Sequence, residues 1–147
     1  MEMIRKQRES DLDDITRIWL TSNLGAHDFI PEEYWKGNLD AVRSAIGGAE
    51  VYVHEDDRGR LDGFIGLDGE FIEGLFVAEG ARSHGVGKML LDHAKSRKRR
   101  LELSVYRKNT RAAAFYNREG FTVTSEGIDA DTGERELTMV WSADTTE

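Results

Sequence analysis

The sequence predicts an α/β protein of the α+β type, with one mixed, mostly antiparallel sheet of about seven strands and four helices on its faces. Three observations indicate this class. Apolar residues first recur at helical spacing, the pattern then changes to strand-like alternation with Asp/Gly turns, and a glycine-rich loop opens a later helix. The predicted order is β-α-α-β-β-β-α-β-α-β-β, and residues 1–147 are predicted to form a single domain.

The first part of the chain is predicted to form a strand and two helices. "MIRKQ" is the strand, and Ser10 begins a segment that resembles a capping box. Apolar residues at helical spacing follow over residues 11 to 23, with Gly25 as the expected stop. Pro31 suits the first turn of the second helix. That helix carries its apolar side on Tyr34, Trp35, Leu39, Val42 and Ile46, and a pair of glycines ends it.

Three strands follow in the middle of the chain. "EVYVHED", "LDGFIGL" and "FIEGLFV" are separated by the turn segments "DRGR" and "DGE". Strands joined by short Asp/Gly turns form antiparallel neighbours. The sequence therefore predicts an antiparallel meander that ends at Val77.

The remaining chain combines two helices with three strands. A glycine loop leads into a helix over residues 86 to 98, and the alternating segment "LELSVY" is a buried strand. Asn109 is the expected N-cap of the next helix, and Gly120 lies just past its end. "FTVTSEGI" and "ELTMVW" then close the chain as a hairpin.

Composition and charge exclude several functions. The chain has no cysteine, which rules out a disulfide framework and a thiolate site and fits the cytoplasm. A net charge of -8 disfavours nucleic acid and anionic lipid as partners, and no apolar run approaches a membrane span. The basic segment "KSRKRR" is either a solvated helix end or a phosphate-binding patch. The histidines and carboxylates show no metal-site pattern, so no metal is expected.

The segment "RSHGVGKMLLDHA" places Gly85 and Gly87 at the entrance of a helix. It is not a dinucleotide fingerprint, because Leu90 stands where the third glycine belongs, nor a P-loop, because Met89 replaces the hydroxyl residue. Bare backbone at a helix N-terminus still suits an anion, such as a diphosphate bound without a metal. The alternative is a strand-to-helix turn that the glycines only ease.

Two segments together resemble the motifs of the GCN5-related N-acetyltransferases. The pattern Arg82-x-x-Gly85-x-Gly87, five residues beyond an apolar strand, is similar to the family's R/Q-x-x-G-x-G/A motif. "NTRAAAFYNREGF", residues 109 to 121, is similar to its N-x-x-A-x-x-F/L-Y-x-x-x-G-F block. The predicted element order is similar to the family's fold along almost the whole chain. The resemblance implies an acetyl-CoA-dependent N-acetyltransferase, similar to the small bacterial enzymes that act on protein lysines or other amines.

The resemblance also implies where acetyl-CoA, the co-substrate, binds. The pantetheine arm would lie across an open edge between the strand that ends at Val77 and the strand from Leu101. Backbone N–H groups of the glycine loop would bind the pyrophosphate, and a backbone amide near Leu75 would polarise the thioester carbonyl. The implied coenzyme-binding residues are Leu75, Phe76, Val77, Arg82, Ser83, His84, Gly85, Val86, Gly87, Lys88 and Asn109.

Tyr116 is the implied general acid, which would protonate the departing CoA thiolate. A phenol can donate to a thiolate when it lies within hydrogen-bond reach. The alternative is that Tyr116 only packs beside Phe115 in the core. Asn109 has a similar double interpretation, as a contact to pantetheine and as a plain helix cap.

The general base is the open question. Several relatives carry a glutamate where this chain has Ser104, so a direct carboxylate base from that strand is in doubt. Glu102 lies on the same strand face. Glu73 is predicted to share a face with Leu75 and could act through water, or it is an ordinary surface glutamate. His27, in the loop that borders the acceptor pocket in the family, is the other candidate, and a lone loop histidine is often incidental.

The expected acceptor is a primary amine, with a protein lysine among the candidates, and the negative charge would favour a cation. Direct transfer in a ternary complex is expected, since there is no cysteine to carry an acyl group. The expected assembly is a monomer or homodimer. Three alternatives remain open: a non-catalytic acyl-CoA-binding sensor, an interaction module that binds no CoA, and, least favoured, a protein that binds nucleic acid through "KSRKRR".

Overall fold

In a computed structural model, which describes residues 2–81 and 84–143, the chain forms seven strands and five α-helices. The strands are β1 (Met3–Lys6), β2 (Glu50–Glu55), β3 (Leu61–Asp68), β4 (Phe71–Val77), β5 (Arg100–Tyr106), β6 (Thr122–Ile128) and β7 (Arg135–Ser142). The helices are α1 (Leu12–Ala26), α2 (Glu32–Gly37), α3 (Leu39–Gly47), α4 (Val86–Arg97) and α5 (Thr110–Arg118).

All seven strands belong to one mixed sheet in the order β1-β2-β3-β4-β5-β7-β6. Every neighbouring pair is antiparallel except β4 and β5, which are parallel. The predicted fold class is confirmed. The parallel pair needs a crossover connection, and α4 supplies it.

The second predicted helix is divided into α2 and α3 at Asn38. This residue has φ -96° and ψ 0°, and its Nδ2 donates to the carbonyl oxygen of Tyr34 at 2.6 Å. Gly37 and Asn38 are both weak helix formers, and an asparagine side chain competes for backbone groups. The first helix is longer than expected, since α1 runs through Gly25 to Ala26.

Each face of the sheet has its own hydrophobic cluster. On one face α1 and α3 pack on β2 and β3, in a cluster formed by Ile15, Ile18, Ile46, Val51, Val53 and Phe64. On the other face α4 and α5 pack on the strands through a larger cluster that includes Ile65, Leu90, Leu91, Leu101, Leu103 and Phe121. Residues of β2, β3 and β4 alternate between the two clusters, because successive side chains of a strand point to opposite faces of the sheet.

β4 and β5 are paired over only a short stretch. Phe71 pairs with Glu102 and Ile72 with Leu103, but β4 continues to Val77 and β5 to Tyr106. Beyond Ile72 the two parallel strands therefore diverge. The edge of β4 that faces β5 is left open there, while its other edge remains paired with β3.

A β-bulge at Glu73 lies where the two strands separate. Gly66 of β3 pairs with Gly74, and the next residue, Leu67, pairs with Ile72, so Glu73 is the additional residue. Ile72 and Leu75 consequently both belong to the cluster beneath α4. The predicted parity between Glu73 and Leu75 does not apply, because the bulge interrupts the alternation.

Within residues 2–81 and 84–143, none of the helices has the length and apolar content that crossing a membrane requires.

Candidate active site

The divergence of β4 and β5 opens a cavity of about 850 Å³. One wall is the end of β4, at Leu75, Phe76 and Val77, and the second is the start of α4. The third wall is α5 with the residues before it, and the end of α1 closes one side. Elements distant in sequence meet here because the sheet order brings β4 beside β5.

The start of α4 presents backbone N–H groups to this cavity. Gly85 adopts the left-handed conformation, with φ +79°, and caps the helix without a side-chain hydrogen bond. The first helical bond runs from the N–H of Met89 to the carbonyl of Gly85, at 3.0 Å. The N–H groups of residues 86 to 88 therefore precede the helical hydrogen-bond ladder and are available to a ligand.

Gly87 differs from Gly85 because its φ angle is an ordinary helical one, which any residue can adopt. A Cβ built there would lie 3.6 Å from Phe115 and 3.7 Å from Val77, which is normal contact distance. The fold therefore has room for a side chain at this position. The glycine leaves a shallow space between two cavity walls, next to the helix N-terminus.

The described residues of the predicted coenzyme loop are largely gathered at the cavity. Gly85, Val86, Gly87 and Lys88 line it, whereas His84 is exposed and does not. The Lys88 ammonium lies 3.2 Å from both Asp92 and Glu119, which raises its pKa. Its charge is thus already paired. Arg82 and Ser83, also predicted, lie outside the described residues.

These contacts indicate a site for a long ligand with an anionic end. The unpaired edge of β4 can accept an extended chain, and the N-terminus of α4 can accept a diphosphate. The space at Gly87 joins the two. The residues present therefore fit acetyl-CoA, and those that would hold it are the end of β4, residues 85 to 88 and Asn109.

Tyr116 lies in α5 and lines the cavity. Its side chain is 8% exposed and packs edge-on against Phe115 and Phe121, at centroid distances of 5.2 and 5.5 Å. No described residue provides a hydrogen-bond partner for its hydroxyl group. Burial raises the pKa of Tyr116, so the phenol stays protonated through the neutral range. The side chain thus packs in the core and also offers a free donor.

His27 follows α1 and is buried within an aromatic group. Its ring stacks on Trp35 and meets Phe29 and Tyr106 edge-on. Its Nδ1 lies 2.9 Å from Oδ1 of Asn23, and its Nε2 lies 3.1 Å from Nδ2 of Asn109. Burial lowers the pKa of His27, so the neutral ring is favoured.

The other base candidates do not line the cavity. Glu73 is exposed in the bulge, Ser104 is exposed on β5, and the carboxylate of Glu102 accepts from Arg100 at 3.0 Å. For Glu73, no hydrogen bond or ion pair is found with the residues that the structure describes.

Two acidic residues that the sequence did not single out lie near the end of β5. The Tyr106 hydroxyl donates to Asp129 at 2.6 Å, and Glu136 is the strand partner of Tyr106 on β7. Burial and the charge of Asp129 raise the pKa of Glu136. No local sequence pattern marks Glu136 as a site residue, and it becomes identifiable only from the β5–β7 register, which places it opposite Tyr106.

Among the described residues, no group of three or more histidines and carboxylates could hold a metal ion.

Comparisons with known proteins agree with this architecture. Residues 43–123 match the sequence profile of the family "Acetyltransferase (GNAT) domain". The chain is 36% identical over 141 residues to the peptidyl-lysine N-acetyltransferase YiaC of Escherichia coli K12, covering 95% of this chain and 96% of YiaC. It is 34% identical over 131 residues to the peptidyl-lysine N-acetyltransferase YjaB of the same organism, covering 89% of each.

Solved structures show the same fold. The solution structure of apo-form YjaB from Escherichia coli has a TM-score of 0.86 and 31% identity, and covers 96% of this chain and 97% of that one. The structure of yncA from Salmonella typhimurium with its cofactor acetyl-CoA has a TM-score of 0.72 at 20% identity, and covers 100% of this chain and 96% of that one.

The fold, with a cleft beside two diverging strands, defines an acyltransferase. The chain belongs to the GNAT family of N-acetyltransferases. It is an acetyl-CoA-dependent N-acetyltransferase, and the resemblance of its two sequence motifs to that family is confirmed.

Gly87→Ala separates the two interpretations of the glycine loop. We expect the variant to be as stable as the parent or more stable by up to about 1 kcal/mol, because alanine favours a helix and finds ordinary contacts here. Its affinity for CoA should fall by roughly tenfold, since a methyl group would occupy the space beside the diphosphate. Thermal unfolding and calorimetric titration with CoA measure the two effects. Unchanged CoA affinity would favour a purely structural glycine.

Proposed function

We propose that the protein transfers the acetyl group of acetyl-CoA directly to the side-chain amine of a protein lysine, within a ternary complex. The observation that carries the cofactor part is the cavity beside the unpaired end of β4, which meets the N-terminus of α4. The acceptor part is supported by YiaC and YjaB, both of which are named peptidyl-lysine N-acetyltransferases. We further propose that the enzyme is a cytoplasmic monomer or homodimer.

The backbone of the cleft holds the coenzyme in this proposal. Acetyl-CoA supplies a thioester, whose acyl carbon accepts the amine. N–H groups of residues 82 to 88 bind the diphosphate, aided by the dipole of α4. The open edge of β4 at Leu75 and Val77 orients the pantetheine arm and presents an N–H to the thioester oxygen. Donors fixed in advance stabilise the charge that develops on this oxygen at no reorganisation cost.

Tyr116 supplies the proton that the leaving sulfur requires. Its hydroxyl has no partner among the described residues, so donation to a ligand breaks no hydrogen bond of the fold. Burial keeps its pKa high and its proton in place. The same apolar surroundings also disfavour a bare thiolate beside it, which offsets the weaker acidity of the phenol.

The acceptor approaches from the side of the sheet that carries α1. Tyr34, Tyr106 and the carboxylates of Asp129, Asp131 and Glu136 influence one another there, and Asp129 raises the pKa of both Tyr106 and Glu136. This negative region favours a cationic amine. The amine must lose a proton before it attacks. Glu73, acting through water, and Glu136, with its raised pKa, are the carboxylates proposed to receive it.

A panel of acceptors tests the proposed reaction. Thiol release is followed with an N-terminally acetylated lysine peptide, the same blocked peptide with arginine in place of lysine, a polyamine and an aminoglycoside. We expect release and acetylation with the lysine peptide alone, because the arginine control keeps the charge but has no free amine. Transfer only to a small amine would contradict the proposed acceptor. CoA binding without release on any amine would instead indicate a sensor.

Tyr116→Phe should lower kcat by roughly 10²-fold or more, the usual contribution of a positioned general acid. The KM for acetyl-CoA should change little, because the ring and its contacts with Phe115 and Phe121 remain. Tyr52→Phe is the matched control, since its hydroxyl donates to Glu50 at 2.8 Å outside the cavity. Equal kcat values for parent, variant and control would contradict the acid role.

A further inference from the structure

His27 links the end of α1 to the start of α5 through side-chain amides on both of its ring nitrogens. Asn23, one turn earlier in α1, faces Nδ1 at 2.9 Å, and Asn109, the N-cap of α5, faces Nε2 at 3.1 Å. Asn23 is 3% exposed and His27 is 9% exposed. We call these three residues the Asn23–His27–Asn109 relay.

The outer contacts of the relay fix which atoms donate. Nδ2 of Asn23 donates to the carbonyl of Trp19 at 2.9 Å, which leaves the Oδ1 atom of Asn23 towards His27. An amide oxygen only accepts, so Nδ1 of His27 carries the proton. At the other end, Oδ1 of Asn109 accepts from the N–H of Ala112 at 3.2 Å.

The same reasoning assigns the second ring nitrogen. With Oδ1 of Asn109 turned towards Ala112, its Nδ2 donates to His27, and Nε2 of His27 must provide the lone pair. Both ends therefore require one tautomer, the neutral ring protonated at Nδ1. That lone pair is the only basic site of a neutral imidazole, and here it is already engaged.

We propose that His27 is a positioning residue, which holds the side-chain amide of Asn109 towards the coenzyme, and not the general base of the reaction. This inference rests on the proposed function and on the contact between Asn109 and the pantetheine arm that the family resemblance implies. With the relay in place, Asn109 retains one N–H of Nδ2 and one lone pair of Oδ1 for an amide of the coenzyme. The side-chain amide of Asn109 is thus oriented before the coenzyme binds.

The surroundings of His27 keep the relay in this state. The ring is enclosed by Trp35 of α2, Phe29 of the preceding loop and Tyr106 of β5, and the amides of α1 and α5 carry no charge. Tyr106 is the one titratable group among these ring contacts. The Lys108 ammonium lies over the ring of Phe29, 5.3 Å from the ring centroid.

The tautomer of His27 is directly measurable in the unmodified protein. A long-range ¹H–¹⁵N spectrum at neutral pH distinguishes a protonated Nδ1 from a protonated Nε2 and from the imidazolium. We expect the Nδ1–H form, both without coenzyme and with CoA bound. The Nε2–H form or an imidazolium would overturn the assignment, whatever the protein catalyses.

Four variants then test the positioning role. His27→Leu and Asn109→Ala should each weaken CoA binding by roughly tenfold, the loss expected for one oriented hydrogen bond. The double variant should lose little more than either single variant, because both remove the same contact. His27→Gln should recover most of the affinity, since its amide oxygen can accept from Asn109. His93→Leu, a histidine of α4 away from the cavity, is the matched control and should bind CoA as the parent does.

A catalytic base would give the opposite pattern. His27→Leu would then keep its affinity for CoA while kcat fell, His27→Gln would not recover kcat, and the acid limb of the kcat–pH profile would disappear in both. Either of these results would overturn the proposal. Failure of the parent protein itself to bind CoA would instead contradict the proposed function, and the tautomer measurement would still test the relay.

Discussion

Two parallel residue pairs between β4 and β5 are the constraint on which the rest of the structure depends. Backbone groups of a strand must find partners, and an unpaired strand edge is normally covered or shortened. Here β4 continues to Val77 with its β5-facing edge open, so a ligand with amide groups can complete it. The bulge at Glu73 marks the position at which pairing gives way to the cavity.

The two hydrophobic clusters hold the separated strands apart. Phe76 packs with the cluster beneath α1, whereas Leu75 and Val77 pack with the cluster beneath α4. β5 is held from its other side by β7 along its whole length. β4, which forms one wall of the cavity, is thus anchored in both clusters of the core. Such a site is largely formed before the coenzyme arrives, which lowers the entropic cost of binding.

The sequence predicted the local features of the site and missed those that depend on distant contacts. The left-handed Gly85, the helix that follows it and the Asn109 cap are each set by a few neighbouring residues, so a pattern can indicate them. The order of elements along the chain was predicted from the same patterns, whereas the order of the strands within the sheet was not. The bulge at Glu73 could not be predicted, because it is defined by pairing with β3, and the alternation of apolar residues gives no sign of it.

The role of His27 shows the same limit. A histidine in a loop has no partners that its sequence neighbours reveal, except Asn23 one turn before it. Its contact with Asn109 joins residues 82 positions apart and exists only once α1 and α5 lie on either side of the cleft. Likewise, Glu136 lies opposite Tyr106 because of the β5–β7 register, and Asp129 reaches the Tyr106 hydroxyl from the loop between β6 and β7. Contacts between side chains on different helices and strands could therefore be identified only from the structure.

Titration of CoA onto the assigned amide resonances of the protein tests the central claim most directly. If the open strand edge and the helix N-terminus bind the coenzyme together, the largest shifts should occur at Leu75, Val77 and residues 85 to 88. The amide resonances of residues in the groove beside His54 and His93, on another part of the surface, should keep their chemical shifts. Saturable shifts confined to that groove, with the strand edge and the start of α4 unchanged, would contradict the account.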